Sequence, residues 1–356
     1  MKIPIWIVGA KGLLAGELAR LLEDHPHYFL AGAVTREGSE ALIHEHPFLT
    51  SAITCVAVGQ ATAEIERDLA SGPAGLFLAL PHGEAAGVWK TMACELGSAA
   101  EELAVVDLSA DFRLQSPEHY AAAYGREHPD PAGDLGFVYG LPELYRSELT
   151  GARRVAAPGC FATAMQLACI PAAAAGLIAP GATLLFQGVT GSSGSGAVPG
   201  KGCHHPYRNG NFKAYSLAGH RHEAEVLQAL AAYHGQELKV HLVPHSGPFA
   251  RGIHMTLSLP LAGDLNAEEA TSVWSEFYAG EPFIQVLPAG GSPELRWVVG
   301  SNRVSLGVHV RDSVCTVLLV LDNTLKGGAG QALQNMNLCH NLPETAGLAR
   351  AGLGVL

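Results

Sequence analysis

The sequence predicts an α/β protein of two domains, and three observations support that prediction. The chain has 356 residues, more than the ~100–200 residues of a typical domain. Its first part alternates continuous apolar strands with helical segments, which is typical of a parallel sheet covered on both faces. After residue 160, strand-length segments are joined by long Gly/Ser/Pro-rich connections, which indicates an α+β domain with a mixed, largely antiparallel sheet.

The first domain begins with a strand, a tight glycine turn and a helix. Buried-type strands are predicted at 3–8, 29–34, 75–80 and 103–108. The first of them leads directly into GAKGLLAGELARLL, which has the apolar spacing of a helix. Polar residues follow the other strands, and ligands of parallel sheets bind at the carboxyl ends of the strands. We therefore expect a binding site at this edge.

The second domain is predicted from strands at 182–189, 239–243, 254–259 and 315–321. The connection GSSGSGAVPGKG is long enough to be functional. A last helix is predicted over 326–338, and its periodicity does not tell where it packs.

Charge and cysteine usage exclude several classes of protein. The net charge is −11, and no block of Lys and Arg could neutralise a row of phosphates, so we expect no nucleic-acid partner. The first residues lack the pattern of a secretory signal, and no apolar run reaches the ~18 residues of a membrane span, so we expect a cytoplasmic protein without a membrane partner. The seven scattered cysteines contain no CxxC pair and fit reduced thiols, not disulfides or structural zinc.

The glycine turn is a candidate dinucleotide site. Gly9, Gly12 and Gly16 follow the first strand, where glycine lets the backbone approach a pyrophosphate. Because strand-to-helix turns often contain glycine, the turn alone leaves an ordinary packing role open. Thr35 and Arg36 stand where a fold that prefers NAD carries Asp or Glu, and a hydroxyl with a guanidinium suits the 2′-phosphate of NADP. A solvated surface charge is the alternative interpretation of Arg36.

Cys160 is a candidate nucleophile. Pro158-Gly159 ends an extended segment and 161–175 has helix-forming composition, so we expect Cys160 at or near a helix N-cap. The helix dipole and backbone N–H groups there favour a thiolate, but a buried packing cysteine explains the local sequence equally well. For Cys169 and Cys315, which lie inside apolar stretches, we expect packing roles.

A thiolate nucleophile needs a nearby group that acts as an acid and a base in the reaction. His220 and His222 follow a glycine and precede a helix with Glu223 and Glu225 in its first turn. The His-x-His pattern also allows a metal site, but no third ligand stands at regular spacing, so we favour an acid/base role and expect no metal.

These residues together resemble the N-acetyl-γ-glutamyl-phosphate reductase family, which belongs to the superfamily that includes aspartate-semialdehyde dehydrogenase. The resemblance extends over nearly the whole chain. It is carried by GAKGLLAGEL (9–18), VTRE (34–37), ALPHG (79–83), VDLSADFRL (106–114), YGLPEL (139–144), APGCFAT (157–163), NGNFKAYSLAGHRH (209–222), PHSGPFARGI (244–253), GSN (300–302) and DNTLKGGAGQALQNMNL (322–338).

The resemblance implies an enzyme of arginine biosynthesis that reduces an acyl phosphate with NADP(H). Cys160 would attack the acyl phosphate, release inorganic phosphate and form a thioester that hydride reduces to the semialdehyde. His220 would assist the thiolate and protonate the thiohemiacetal oxygen. His222, Arg113 and Arg251 are implied around the substrate. The resemblance places the cofactor on Gly9, Lys11, Gly12, Leu13, Leu14, Thr35, Arg36, Pro81, Ser192, Gly194 and Asn323.

The same resemblance implies the domain limits and the assembly. A Rossmann-type NADP-binding domain would span 1–158 and 325–356, and a catalytic, dimerisation domain would span 159–324, with the last helix packed on the first domain. A homodimer or homotetramer is expected.

Departures from the family pattern leave alternatives open for the substrate. Ala157 stands where the family usually has Asn, and the loop at 193–197 lacks the family's Arg. A sister reductase of lysine biosynthesis would act on an aminoadipyl phosphate bound to a carrier protein, and aspartate-semialdehyde dehydrogenase is a further relative. A non-catalytic NADP-binding sensor is the alternative of another class.

Overall fold

The computed structural model describes residues 2–235 and 238–354, which form two compact units. The first unit comprises Met1–Ala121, Gly125–Pro158 and Gly328–Leu348. The second comprises Ala122–Tyr124, Gly159–Gly327 and Ala349–Leu356. In the part of the chain that the structure describes, no helix has the length and apolar character needed to cross a membrane.

Among the described residues, all eight strands predicted from the sequence are present, together with six further strands. The strands, in chain order, are β1 (Ile3–Val8), β2 (Tyr28–Val34), β3 (Cys55–Val56), β4 (Gly75–Leu78), β5 (Ala104–Asp107), β6 (Val138–Tyr139), β7 (Arg154–Ala156), β8 (Thr183–Thr190), β9 (Lys213–Ala214), β10 (Lys239–Ser246), β11 (Ile253–Pro260), β12 (Ile284–Val286), β13 (Val304–Arg311) and β14 (Val314–Leu321). The helices are α1 (Leu13–Glu23), α2 (Leu42–Glu45), α3 (Val58–Ser71), α4 (Ala85–Leu96), α5 (Pro117–Tyr124), α6 (Pro142–Leu149), α7 (Cys160–Ala174), α8 (His205–Arg208), α9 (His222–Tyr233), α10 (Ala267–Phe277) and α11 (Ala329–Cys339).

The sheet of the first unit is wholly parallel. Its strand order is β3-β2-β1-β4-β5-β7-β6, with a register shift between Ile5 and Trp6 where β1 pairs with β2. Side chains alternate between its faces: Leu76 joins an apolar core with Trp89 of α4, whereas a Cβ on Gly75 would meet Met336 of α11. Helices therefore cover both faces, and the predicted Rossmann-type sheet is confirmed.

The sheet of the second unit is mixed. Its order is β12-β13-β14-β11-β8-β10-β9; β8 pairs in parallel with β10 and β12 with β13, and the remaining pairs are antiparallel. Helix α7 packs on β11 and β14, α9 packs on β10, and α10 packs on β13. The predicted α+β architecture is thus confirmed, although the sequence analysis did not predict β9, β12 and β13.

Helix α7 is buried along almost its whole length, although Pro171 interrupts its hydrogen bonds. Proline has no N–H, so the carbonyl of Leu167, four residues earlier, loses its helical donor. The Tyr278 hydroxyl donates to that carbonyl at 2.7 Å, and the Trp274 indole N–H donates to the next one, of Ala168, at 3.0 Å. Side chains at the end of α10 therefore replace the missing bond and fix the helix that carries Cys160.

The last helix begins later than predicted. The expectation was 326–338, but α11 is Ala329–Cys339, because Asp322 accepts the N–H groups of Thr324 and Leu325 and forms a turn there. Helix α11 packs on α1 and β5, so the implied packing on the first domain is confirmed.

The end of the chain is grouped with the second unit. Residues 349–354 contact this unit: the Leu353 N–H donates to the Val299 carbonyl at 2.9 Å, and the Asn302 N–H donates to the Ala349 carbonyl at 2.8 Å. The domain limits given above stay a prediction.

Candidate active site

The turn from β1 to α1 has the shape of a pyrophosphate cradle. Gly9 has φ +84°, and a Cβ there would lie 2.5 Å from the Ala79 carbonyl oxygen, so the position requires glycine. Gly12 is the N-cap of α1 and provides no side-chain cap. Leu13 and Leu14 begin the helix, and the N–H groups of a first helical turn lack intrahelical partners. These groups can bind an anion, so the turn fits a dinucleotide.

Arg36, just after the end of β2, carries a positive charge suited to a second anionic group of the dinucleotide. The Thr35 hydroxyl accepts the Gly38 N–H at 3.1 Å, which commits it to the local turn. The Arg36 side chain is 88% exposed. Among the described residues its one ion pair is with the half-exposed Glu84, and Nη2 of Arg36 lies 3.4 Å from that carboxylate. An accessible guanidinium next to the cradle fits the 2′-phosphate of NADP better than the ribose hydroxyls of NAD.

Two other predicted cofactor residues lie at the same edge. Lys11 contacts Glu40 at 2.8 Å and Glu45 at 3.2 Å, and these carboxylates raise the pKa of its ammonium above the usual value. Two acidic partners neutralise this lysine, so it contributes little charge to a pyrophosphate site. Pro81 is exposed after β4. Their cofactor contacts stay predictions.

We expect Arg36→Glu to weaken NADPH binding at least ~10-fold while changing NADH binding less than ~2-fold, because the predicted partner of the guanidinium is the 2′-phosphate, which NADH lacks. Fluorescence titration with both nucleotides measures the two affinities. Arg67, an exposed arginine of α3 in the same unit, provides the matched control, and Arg67→Glu should leave both affinities unchanged. An equal loss for both nucleotides would count against the 2′-phosphate role.

Cys160 is the first residue of α7, and Gly159 is the N-cap. The expected position at or near the helix N-cap is therefore confirmed. The buried carboxylate of Glu225 accepts the Gly159 N–H at 3.0 Å, and a Cβ on Gly159 would lie 2.4 Å from Nε2 of His222. Both side chains come from the first turn of α9. They clamp the turn that presents the half-buried Cys160 thiol.

His220 stands among aromatic rings in the same unit. Its ring centroid is 5.7 Å from that of Phe161 and 6.3 Å from that of Tyr215, and burial lowers its pKa to about 4, with a smaller contribution from the charge of Arg221. Its Nδ1 accepts the His222 N–H at 3.2 Å. In the neutral ring the proton is therefore on Nε2. Among the described residues, no group of three or more His, Cys, Asp or Glu could hold a metal ion.

The implied cofactor loop of the second unit is held by internal hydrogen bonds. Ser192 begins a short 3₁₀ helix that includes Gly194, and its N–H donates to the Phe249 carbonyl at 2.9 Å. The Asn323 side chain donates to the Ser193 hydroxyl at 2.9 Å and accepts the Gly252 N–H at 2.6 Å. Asn323 thus ties two loops together, and its cofactor contact stays a prediction.

The two arginines implied around the substrate differ in their surroundings. Arg113 is buried, and its Nε and Nη2 donate to the carbonyls of Ala157 and Leu108 at 2.8 and 2.9 Å. A guanidinium committed to backbone in this way positions the segment before Cys160, which argues against direct contact with substrate. Arg251 keeps 29% of its side chain exposed and pairs with Asp322 at 3.1 Å.

Sequence reasoning missed four contributors to this site. Tyr215, Asp322 and Gly327 lay within the quoted motifs without a role, and Glu225 was placed in the first turn of a predicted helix without a role in the site. A Cβ on Gly327 would lie 2.8 Å from the Cβ of Cys160, so the segment after β14 lies directly against the nucleophile. No local pattern signals a contact between residues this far apart in the chain.

Comparison with known proteins agrees with these two units. Residues 4–152 match the semialdehyde dehydrogenase NAD-binding domain, and residues 160–323 match the semialdehyde dehydrogenase dimerisation domain. N-acetyl-gamma-glutamyl-phosphate reductases of Symbiobacterium thermophilum and Saccharopolyspora erythraea are 39% and 40% identical to the chain, each over 99% of both proteins. The chain belongs to the N-acetyl-gamma-glutamyl-phosphate reductase family. The resemblance inferred from sequence is confirmed.

Solved structures support the fold of this family member. Aspartate semialdehyde dehydrogenase II of Vibrio cholerae has a TM-score of 0.68 at 15% identity over 96% of this chain and 99% of that one. The Candida albicans enzyme, solved with NADP, has a TM-score of 0.66 at 15% identity over 96% and 99%. The match to a dimerisation domain supports assembly into oligomers, and the homodimer or homotetramer stays a prediction.

Proposed function

We propose that the protein catalyses the NADPH-dependent reduction of N-acetyl-γ-glutamyl phosphate to N-acetylglutamate 5-semialdehyde and phosphate, a step of arginine biosynthesis. The observation that carries this proposal is the half-buried Cys160 thiol at the start of α7, in the same unit as the neutral imidazole of His220. Relatives of equal length with this activity in their names support the substrate, and the cradle with the exposed Arg36 supports NADP(H).

In the first half-reaction the Cys160 thiolate attacks the acyl carbon. A carbon–sulfur bond forms, the carbon–oxygen bond to the phosphoryl group breaks, and inorganic phosphate leaves with the electron pair. Because Cys160 begins α7, the first-turn N–H groups of this helix favour both the thiolate and the negative charge that develops on oxygen. Glu225 and His222 hold the preceding turn, so the thiol has a fixed position.

In the second half-reaction the thioester is reduced. NADPH, when bound, supplies the hydride for the thioester carbonyl carbon. His220 holds its proton on Nε2 and donates a hydrogen bond to the oxygen that becomes negative, as a neutral imidazole does when burial keeps its pKa low. Collapse of the thiohemiacetal oxyanion restores the carbonyl, breaks the carbon–sulfur bond and expels the Cys160 sulfur as thiolate, which leaves the free semialdehyde.

Steady-state kinetics with three acyl phosphates test the proposal. We expect kcat/KM for N-acetylglutamyl phosphate to exceed that for aspartyl phosphate and for carrier-bound aminoadipyl phosphate by at least ~100-fold. Ala157, three residues before Cys160, is buried, so it affects the preference among these substrates only through packing. A preference for the carrier-bound substrate would assign the chain to the lysine-type reaction, and no turnover of any of the three would favour the non-catalytic sensor.

A further inference from the structure

Asp322 is a fully buried carboxylate directly after β14, and its side chain has no part in the reaction described above. One oxygen, Oδ1, accepts the Thr324 N–H and hydroxyl, both at 2.8 Å, and the Leu325 N–H at 3.2 Å. The other, Oδ2, accepts the Gly300 N–H at 2.8 Å and lies 3.2 Å from Nε and 3.1 Å from Nη2 of Arg251. These hydrogen bonds and the ion pair to both oxygens compensate the loss of water around the buried carboxylate charge.

The ion pair between Asp322 and Arg251 is one-sided. The acid is sealed from solvent, whereas the arginine side chain keeps 29% of its surface exposed. Guanidinium is a rigid, planar fork, so a carboxylate that binds the edge formed by Nε and Nη2 also fixes the direction of the opposite edge. A pair built in this way presents an oriented positive charge at the surface of the second unit.

Backbone contacts hold the loop around Arg251 without help from the Asp322 carboxylate. The Gly191 N–H donates to the Gly252 carbonyl and the Ser193 N–H donates to the Ala250 carbonyl, both at 3.0 Å. A Cβ on Gly191 would lie 2.4 Å from the Ala250 oxygen, so the two segments are in close contact. Loss of the carboxylate charge should therefore change the orientation of the guanidinium and leave the path of the chain intact.

The same residue also connects this charge to the nucleophile. The Asp322 carbonyl accepts the Gly327 N–H at 2.9 Å, and Gly327 packs against Cys160. The turn that begins at Asp322 thus holds both the Arg251 guanidinium and Gly327, which packs against Cys160.

We propose that Asp322 is a positioning residue that aims the outer edge of the Arg251 guanidinium at an oxyanion of the substrate, either its carboxylate or the phosphate. The inference rests on the proposed function and names the group that orients the acyl substrate. A purely structural ion pair would stabilise the fold without affecting one substrate more than another.

Kinetics in the phosphorylating direction test the inference, with semialdehyde, phosphate and NADP varied separately. We expect Asp322→Asn to raise KM at least ~10-fold for the semialdehyde if Arg251 binds the carboxylate, or for inorganic phosphate if it binds the leaving group, with kcat within ~3-fold and KM for NADP within ~2-fold. Arg251→Met should raise the same KM, and the double variant should be no worse than Arg251→Met alone. Unchanged KM values or additive effects would overturn the inference.

Two further measurements keep the test decisive. If Asp322→Asn does not fold, Arg251→Lys is tested instead. Lysine lacks the planar fork of guanidinium, so the KM of Arg251→Lys should rise as far as the KM of Arg251→Met. A KM equal to that of the wild type would contradict the inference. Glu294→Gln removes the carboxylate from the exposed pair with Arg296 and is the control, with kinetics expected to be unchanged.

A binding assay separates this inference from the proposed function. Iodoacetamide labels Cys160, and inorganic phosphate or N-acetylglutamate should protect it in the wild type, with at least ~10-fold more protectant needed in Asp322→Asn. Mass spectrometry of the peptide that contains Cys160 reads the labelling without turnover. A wild type that turns over none of the acyl phosphates would refute the proposed function alone, whereas equal protection of both proteins would refute the role of Asp322.

Discussion

Cys160→Ala and Cys160→Ser are expected to lower kcat/KM for phosphate-dependent NADP reduction with N-acetylglutamate semialdehyde by at least ~10⁴-fold. Alanine removes the nucleophile, and a serine hydroxyl at the start of α7 remains almost wholly protonated at neutral pH, so neither variant forms the thioester. NADPH affinity should stay within ~2-fold of the wild type, because the cradle at Gly9 and Gly12 is built from β1 and α1.

The control for this prediction is Cys94→Ser, which changes the exposed cysteine of α4 and should retain full activity. Cys169 is not a suitable control, because it is fully buried in α7 and burial raises the pKa of its thiol, so its replacement would change stability. Full activity of either Cys160 variant would refute covalent catalysis. Loss of activity together with loss of NADPH binding would instead indicate a folding defect.

Sequence alone could predict those features that depend on neighbours in the chain. The glycine turn before α1 and the strand pattern are local, because one strand, one turn and one helix are each specified by a short segment. Cys160 at the start of α7 is also local, but its local sequence left packing and catalysis equally open. Only the combination with His220 and the family motifs favoured catalysis.

What sequence could not predict depends on contacts between distant segments. Glu225 is 66 positions from Gly159, and only the packing of α9 near the start of α7 brings its carboxylate to that N–H. Arg113 could be assigned to substrate as easily as to backbone, because the same guanidinium fork suits both. Burial decides between them, and a single sequence does not report burial of a charged residue.

The exact start of the last helix was wrong for a related reason. Composition favours helix from Lys326 onward, but the Asp322 carboxylate captures the N–H groups of the next residues and delays the helix to Ala329. A side chain that competes with the helical hydrogen bonds thus overrides propensity. The same competition creates the turn that lies against Cys160.

His220→Asn should lower kcat/KM by ~10²–10³-fold, whereas His220→Gln should stay within ~10-fold of the wild type. Asparagine places its amide near the position of Nδ1, where the ring accepts the His222 N–H, and it has nothing at the position of Nε2. Glutamine reaches the position of Nε2 with an N–H donor, so it can still stabilise the oxygen that becomes negative. Steady-state kinetics of the two variants under identical conditions measure the difference.

Equal losses in both variants would show that His220 acts as a proton acceptor, since neither amide accepts a proton.

The pH dependence of stability gives an independent readout of the same imidazole. Its folded pKa of about 4 lies below the ~6.5 of an unfolded chain, so between these values the unfolded state binds more protons. Wild-type stability should therefore fall as the pH drops from ~6.5 to ~4. Urea unfolding at pH 7 and pH 5 should show a smaller decrease for His220→Gln, because that variant carries no group there to titrate.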